Sequence, residues 1–248
     1  MRRFFTEPEN IDGENLYIID DAVHITRVLR MNVGDEILAF DGSGYEYLAS
    51  LIEINKTKCT ARIKSKKLSE NEPLMHVTIF QGIPKSGKME QIVQKAVELG
   101  VYEIVPVAMD RCVAKIYDEK KGKEKIKRYQ KVAVEAAKQC GRGILPKVLA
   151  PMTFDESLVA MGKLDLAIMP YEIMGHDGET NLKQTLKLHN DAKSVGVLIG
   201  PEGGFSDSEA ERAKQNKLNL VGLGKRILRT ETVGSTILSI IMYENNEI

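Results

Sequence analysis

The 248 residues carry 35 Lys and Arg against 35 Asp and Glu, and 43% of the chain is hydrophobic. This excludes a disordered or fibrous chain and leaves room for one large or two modest domains with real cores. It also excludes the global basic charge common in nucleic-acid binders, so any such contact must come from local clusters.

Cys59, Cys112 and Cys140 are odd in number, scattered and without a CxxC, and read as reduced thiols of a cytoplasmic protein. Arg2-Arg3-Phe4-Phe5 opens like a targeting peptide, but Thr6-Glu-Pro-Glu-Asn10 follows where an apolar segment would be needed. No signal peptide or transmembrane span is expected. His24, His76, His176 and His189 are isolated from one another, so no metal site is expected.

Residues 1–72 read as a small β-rich domain suited to a barrel. Leu16 to Ile19, Ile37 to Phe40, Tyr45 to Ile54 and Cys59 to Ile63 are its expected strands, and Asp20 or Asp21 is placed to cap a short helix through Arg30. On an α-helix His24, Arg27 and Arg30 would share one face and offer two guanidiniums to a phosphate track. Lys56, Lys58, Arg62, Lys64, Lys66 and Lys67 form a run with no acidic residue, either a solvated face or an RNA-positioning patch.

Ser69-Glu-Asn-Glu-Pro73 is a natural linker, so residues 73–248 form the second domain. A strand at His76 to Gln81 leads into Gly82-Ile-Pro-Lys-Ser-Gly87-Lys88, which satisfies the GxxxxGK of a phosphate-binding loop. Met89 stands where magnesium would need a hydroxyl, and Pro84 removes an amide, so nucleotide hydrolysis is only the alternative reading. Lys85 and Lys88 remain candidates for an RNA backbone. Next come an amphipathic helix from Met89 to Leu99, a strand at Val101 to Val107, and a lysine-rich segment from Lys115 to Lys131 whose helix continues to Cys140. Arg142 leaves that helix between glycines. Thr153-Phe-Asp-Glu156 is a capping box before a short helix, and Leu164 to Met169 is a further strand. Strands alternating with helices predict an α/β layer fold with a mostly parallel sheet and ligand loops at the strand C-terminal ends.

Val195 to Gly200 is an uncharged strand stopped by the turn Gly200-Pro201-Glu202-Gly203-Gly204, and Ser206-Asp-Ser-Glu209 caps a helix to about Lys217. A strand at Leu218 to Leu223 runs into Gly224-Lys-Arg-Ile-Leu-Arg229, after which Thr230 is expected to cap a helix through Tyr243. The first loop lets a ligand lie against main-chain groups, while Glu202 would repel a polyphosphate. A nucleoside with a cationic or zwitterionic group fits this pair of loops better, although tight connections alone would also use these glycines.

IGPEGG at 199–204 with LGKRILRTET at 223–232 resembles the double signature of the SPOUT-class RNA methyltransferases that methylate N3 of a uridine in 16S ribosomal RNA. HITRVLRMNVGDEI at 24–37, KMEQIVQKAVELGV at 88–101, DRCVAK at 110–115 and QCGR at 139–142 resemble the same family in the same order, across nearly the whole chain. The resemblance implies a PUA-like or OB-like RNA-binding barrel before a trefoil-knotted SPOUT domain. It also implies S-adenosylmethionine as cofactor, without metal, and a homodimer whose protomers complete each other's substrate site. The substrate would be 16S rRNA, within the assembled small subunit.

On this reading Met169, Pro170, Leu198, Ile199, Gly200, Pro201, Gly203, Leu223, Gly224, Ile227, Leu228 and Thr232 are expected to hold the donor, with adenine among main-chain groups of the two loops. Arg229 is the first choice for stabilising charge on the uracil, with Glu231 to orient it or accept the N3 proton. Arg3 and Arg142 are second choices. Arg2, Arg3, Arg27, Arg30, Lys64, Lys66, Lys67, Lys85, Lys88 and Arg142 are the expected RNA contacts. The terminal helix, with Val233, Ile237, Leu238, Ile240, Ile241 and Met242, has more apolar surface than one core readily absorbs, a physical reason for the dimer. A catalytically silent RNA-binding scaffold is the third reading.

Overall fold

The computed structural model describes residues 1–85, 87–113, 119–172 and 181–248, with the backbone alone at 119–121. His176 and the start of the lysine-rich segment lie outside the described residues. Two compact units result, Met1–Glu72 with Val134–Pro146, and Pro73–Ala133 with Lys147–Ile248.

The first unit is a six-stranded sheet in the order β1-β4-β5-β6-β3-β2. Its strands are β1 (Arg2–Phe5), β2 (Ile11–Asp12), β3 (Asn15–Ile18), β4 (Glu36–Phe40), β5 (Tyr45–Ile54) and β6 (Cys59–Leu68). Alternate residues face inward: Leu16 and Ile18, Ile37 and Ala39, Ala49 and Leu51, and Cys59 and Ala61 are fully buried, as a half-covered sheet requires. The Arg-Arg-Phe-Phe opening is a strand, pairing in parallel with β4. Val134–Pro146 joins this unit through the Glu72 carboxylate, which accepts from the backbone N–H of Gly143 at 2.6 Å and of Ile144 at 2.9 Å.

The expected helix ending at Arg30 is a π-helix, His24–Leu29, in which Arg30 N–H bonds to the Ile25 carbonyl five residues back. A π turn is wider than an α turn, so a spacing of three no longer stacks side chains. Arg30 itself has φ 50°, outside the helix. His24, Arg27 and Arg30 are all exposed but do not form the single face expected of them.

The second unit is an all-parallel sheet in the order β10-β8-β7-β12-β11-β13, with β9 also on β8. Its strands are β7 (His76–Gly82), β8 (Glu103–Ala108), β9 (Lys147–Val148), β10 (Met152–Thr153), β11 (Leu166–Pro170), β12 (Ser194–Ile199) and β13 (Asn219–Val221). Its helices are α1 (Lys88–Glu98), α2 (Glu119–Cys140, of which the part from Val134 on belongs to the first unit), α3 (Phe154–Met161), α4 (Leu182–Leu188), α5 (Asp207–Gln215) and α6 (Thr230–Glu244). Val195 to Ile199 are all buried because β12 lies inside the sheet, between β7 and β11, with both faces covered. The outer neighbour of β8 is split into β9 and β10, and the gap falls at Val105 and Pro106, where proline has no N–H to give. Both expected capping boxes form, at Thr153 with Glu156 and at Ser206 with Glu209.

Strand order reverses around β7 and β12, since the chain steps outward through β8 and then returns to place β11, β12 and β13 on the other side. Such a switch point opens a crevice beyond the strand C-terminal ends. The helix α6 closes it from behind. Ile237, Leu238, Ile241 and Met242 are buried within the protomer, and only Val233 and Ile240 of its predicted apolar surplus stay half-buried.

Candidate active site

A cavity of about 500 Å³ lies beyond the C-terminal ends of β11, β12 and β13. Both glycine loops form its walls. Pro170 and Tyr171 continue from β11, Ile199, Gly200, Pro201, Glu202 and Gly204 from β12, and Leu223 to Arg229 from β13. Gly204 (φ 67°) and Gly224 (φ 91°) adopt the left-handed backbone that favours glycine, which lets these loops turn back over the cavity.

One wall is apolar. Tyr171 and Phe205 meet edge to face at 6.4 Å between centroids, near Ile199, Leu223, Leu228 and Val233. Burial, with Asp207 and Glu172 beside it, pushes the Tyr171 phenol above its usual range, so it stays protonated. The lining is mixed in charge, with Lys88, Arg111, Lys225, Arg226 and Arg229 alongside Glu172, Glu202 and Asp207. An apolar, aromatic body with a zwitterionic end matches these walls, and the volume suits a nucleoside-sized ligand.

Of the expected donor residues, Pro170, Ile199, Gly200, Pro201, Leu223, Gly224, Ile227 and Leu228 line the cavity. Met169 and Leu198 are fully buried in the sheet behind it. Alternation along a strand explains this, since only the last residues of β11 and β12 emerge at the crevice. Gly203 sits off the lining and offers its carbonyl to Arg111 Nη1 at 3.0 Å. Thr232 is exposed on the first turn of α6, away from the lining. The aromatic wall and Arg111 escape a sequence reading because both depend on segments distant along the chain. Strand ends followed by Tyr or Phe are the signal that points to such a wall.

Thr230 does not cap α6; Arg229 occupies that position, without a side-chain cap. The buried Thr230 hydroxyl instead donates to the Gly200 carbonyl at 2.7 Å and accepts from Gln81 Nε2 at 2.9 Å.

Glu231 and Arg229 form no ion pair among the described residues, although the Arg229 charge lies near enough to favour the ionised Glu231 carboxylate. That carboxylate pairs with Lys88 Nζ at 3.2 Å, and Lys88 also reaches Glu202 at 3.3 Å. Glu231's own backbone N–H, then Lys88 and last the Arg229 charge, keep its carboxyl below the usual range against the opposing effect of burial. Burial pushes Glu202 up, but backbone N–H groups, including that of Lys85, and Lys88 outweigh it and hold the carboxyl low. Lys88 is raised, chiefly by Glu231. A carboxylate so stabilised is a poor proton acceptor.

The same contacts dispose of the phosphate-loop reading. Glu202 accepts from the Lys85 amide at 3.1 Å, so a carboxylate sits where a phosphate would. Lys88 is clasped by two carboxylates, and a Cβ on Gly82 would lie 2.7 Å from Pro201.

The clasp has a pH signature. Folded carboxyls held below their ordinary value of 4.5 contribute stability that is present above that value and lost as pH falls through the folded pKa. Lys88→Met should therefore lower the melting temperature near neutrality, and the gap to the unaltered protein should narrow as pH drops below 4.5. A gap of constant size from about pH 7 to about pH 3 would show that the ion pairs contribute nothing.

The predicted RNA residues divide sharply. Arg3 is committed within the first unit, with Nη1 on Glu46 at 2.7 Å and Nη2 on the Arg142 carbonyl at 2.6 Å. Arg142 is buried with Nε and Nη2 on Glu72. Neither guanidinium is displayed to a phosphate or a uracil, because a buried, paired arginine is expensive to extract. Arg2, Arg27, Arg30 and Lys85 are exposed. Lys64 pairs with Glu36 at 2.7 Å, Lys67 lies 3.9 Å from Glu46, and Lys66 stacks 3.9 Å over the Tyr45 ring. Cys59 and Cys112 are buried thiols raised by burial. Among the described residues no cluster of His, Cys, Asp and Glu is arranged to hold a metal, and no helix is long and apolar enough to cross a membrane.

Comparison with known proteins places this geometry. A family model described as the RNA methyltransferase domain matches residues 70–242, and one described as the RNA methyltransferase PUA domain matches residues 20–64. A ribosomal RNA small subunit methyltransferase E from Bacillus subtilis is 34% identical over 249 residues, covering 98% of this chain and 97% of that one. Its namesake from Buchnera aphidicola is 31% identical, covering 90% of this chain and 86% of that protein. The crystal structure of a ribosomal RNA small subunit methyltransferase E from Neisseria gonorrhoeae bound to S-adenosyl methionine is 29% identical with a TM-score of 0.86, covering 98% of this chain and 97% of the other. With both domain models matched in order and such similarity along almost its whole length, the chain belongs to the ribosomal RNA small subunit methyltransferase E family of RNA methyltransferases.

Proposed function

We propose that the protein methylates N3 of a uridine in 16S ribosomal RNA, using S-adenosylmethionine held in the cavity between the two glycine loops. The observation that carries this reading is the convergence of Ile199–Gly204 and Leu223–Arg229 on one half-apolar, half-zwitterionic cavity at the strand ends. Family membership supports the same assignment. When bound, S-adenosylmethionine supplies an electrophilic methyl group on a positively charged sulfur.

The chain's part is to hold and to polarise. Gly200, Gly224 and the Tyr171–Phe205 wall give the donor's flat base a slot with main-chain groups on its edges. Glu172, Glu202 and Asp207 on the lining suit its positive charges, and Arg111 suits its carboxylate. Uridine N3 is a poor nucleophile while protonated. Arg229, at the cavity's edge, stabilises the negative charge that spreads onto the uracil oxygens as that proton passes to solvent. Glu231, clasped by Lys88 at 3.2 Å, is proposed to fix the loop rather than to take that proton.

Calorimetry tests donor binding. Saturable binding of S-adenosylmethionine that survives a chelator is expected, and binding of ATP only with magnesium would return the assignment to the phosphate-loop reading.

The first unit is proposed as the RNA-positioning domain, using the Lys64–Lys67 end of β6. Changing Lys64, Lys66 and Lys67 to Ala should weaken binding of assembled small subunits. It should also flatten the salt dependence by roughly 0.7 in log–log slope for each phosphate of single-stranded RNA that is no longer neutralised. An unaltered slope would make this segment a solvated face. The functional assembly is proposed to be a knotted homodimer in the cytoplasm. Sedimentation showing a fully active monomer at micromolar concentration would remove the dimer.

A further inference from the structure

Resting on the reading that the cavity takes S-adenosylmethionine, we infer that Thr230 and Gln81 are positioning residues that set the orientation of the Gly200–Pro201 peptide on which the donor lies. Pro201 has no N–H, so the Gly200 carbonyl is the only polar group through which the protein can fix the plane of this peptide. The Thr230 hydroxyl is bonded to it at 2.7 Å.

The direction of each bond follows from the inventory of hydrogens. The Gly200 carbonyl can only accept, so it takes the single hydroxyl hydrogen of Thr230. The threonine oxygen must then accept, and it does so from Gln81 Nε2 at 2.9 Å. The other amide hydrogen of Gln81 goes to the Gly82 carbonyl at 3.0 Å. Both donors of the amide and the one donor of the hydroxyl are spent, and among the described residues Gln81 Oε1 finds no partner. A side chain that is 0% exposed and keeps an unsatisfied acceptor is tolerated for what its donors do.

The relay joins three segments distant along the chain: the end of β7, the first glycine loop and the start of α6. Gly234, one turn further along α6, lets the helix sit close enough for this, since a Cβ there would come 3.2 Å from Ile199 Cδ1. Without the hydroxyl, the Gly200–Pro201 peptide loses the one hydrogen-bond partner it has among the described residues, and the donor must bear the cost of ordering it.

Thr230→Val keeps the shape and removes the hydrogen bond, Thr230→Ser keeps the bond, and Gln81→Met removes the amide donors from the other end. Affinity for S-adenosylmethionine by calorimetry, donor KM against kcat, and melting temperature are measured for each. Expected is a loss of donor affinity of about tenfold for Thr230→Val, the equivalent of one ordinary hydrogen bond. The loss should fall on KM more than on kcat, recur in Gln81→Met, and be restored in Thr230→Ser. If the unaltered protein does not bind S-adenosylmethionine, the cavity reading fails and takes this inference with it. If it binds and Thr230→Val binds equally well, the inference alone is wrong. A loss in Thr230→Val that tracks a fall in melting temperature and is not restored by serine would overturn it too, because the hydroxyl would then serve only general packing.

Discussion

Replacing Arg229 with alanine is expected to lower single-turnover methylation of small subunits by about 10²–10³-fold, the range seen when one preorganised donor to a developing anion is removed. Donor affinity should change little. Arg229 precedes α6 with extended backbone (φ −69°, ψ 151°), lies on the cavity lining and is exposed. No ion pair to its side chain occurs among the described residues, and its charge acts on Glu231 only as the weakest of that carboxylate's partners, which leaves the guanidinium free to turn to a substrate. The neighbouring Glu231→Gln should behave oppositely. Its carboxylate is engaged with Lys88, so that variant should keep its turnover and pH profile and lose some stability. Full activity in Arg229→Ala would move the role to Arg111 or Arg226, the other guanidiniums on the lining.

The second large effect is expected at Gly82, which has no place in a phosphate loop here but a strict one in packing. A Cβ added there would lie 2.7 Å from both Cδ and N of Pro201 and 2.9 Å from Met109 Sδ. Two of these atoms belong to the rigid proline that starts the first glycine loop, so the loop itself must move. Overpacking of this kind costs about 1–3 kcal/mol of stability, which a folded variant can survive. A displacement on the order of 1 Å in a positioning loop is worth about 10²-fold in function. Gly82→Ala should thus remain folded by circular dichroism and lose donor binding by about that factor. Unchanged affinity would mean that the first loop does not contact the donor.

Much of this was legible in the sequence, for identifiable reasons. The uncharged run Val195–Ile199 suits a strand covered on both faces, and it is an interior strand of the parallel sheet. Ser206 with Glu209 and Thr153 with Glu156 are local, three-residue devices, and local devices read true. The two loops announced the cavity because glycine and proline leave their mark regardless of context. What stayed hidden depends on contacts across the chain. Glu231 sits two residues from Arg229, which favours pairing on paper, yet Lys88 at the start of α1 takes it. Thr230 stands where a cap belongs, and only the fold brings Gly200 within its reach. Arg142 looks aimed at a substrate from its glycine-flanked exit, and Glu72 buries it instead. The π-helix at His24–Leu29 differs from an α-helix by one residue per hydrogen-bonded ring, a distinction the side-chain pattern does not encode.

The measurement closest to the central claim is the identity of the methylated nucleoside. Small subunits lacking the modification are incubated with the protein and S-adenosylmethionine carrying a labelled methyl group, and the 16S rRNA is digested to nucleosides and resolved by mass spectrometry. The account predicts that the label appears as 3-methyluridine, and that it is lost in Arg229→Ala. Label on the ribose or on a carbon of the base, or transfer that persists undiminished in Arg229→Ala and Gly82→Ala, would contradict it.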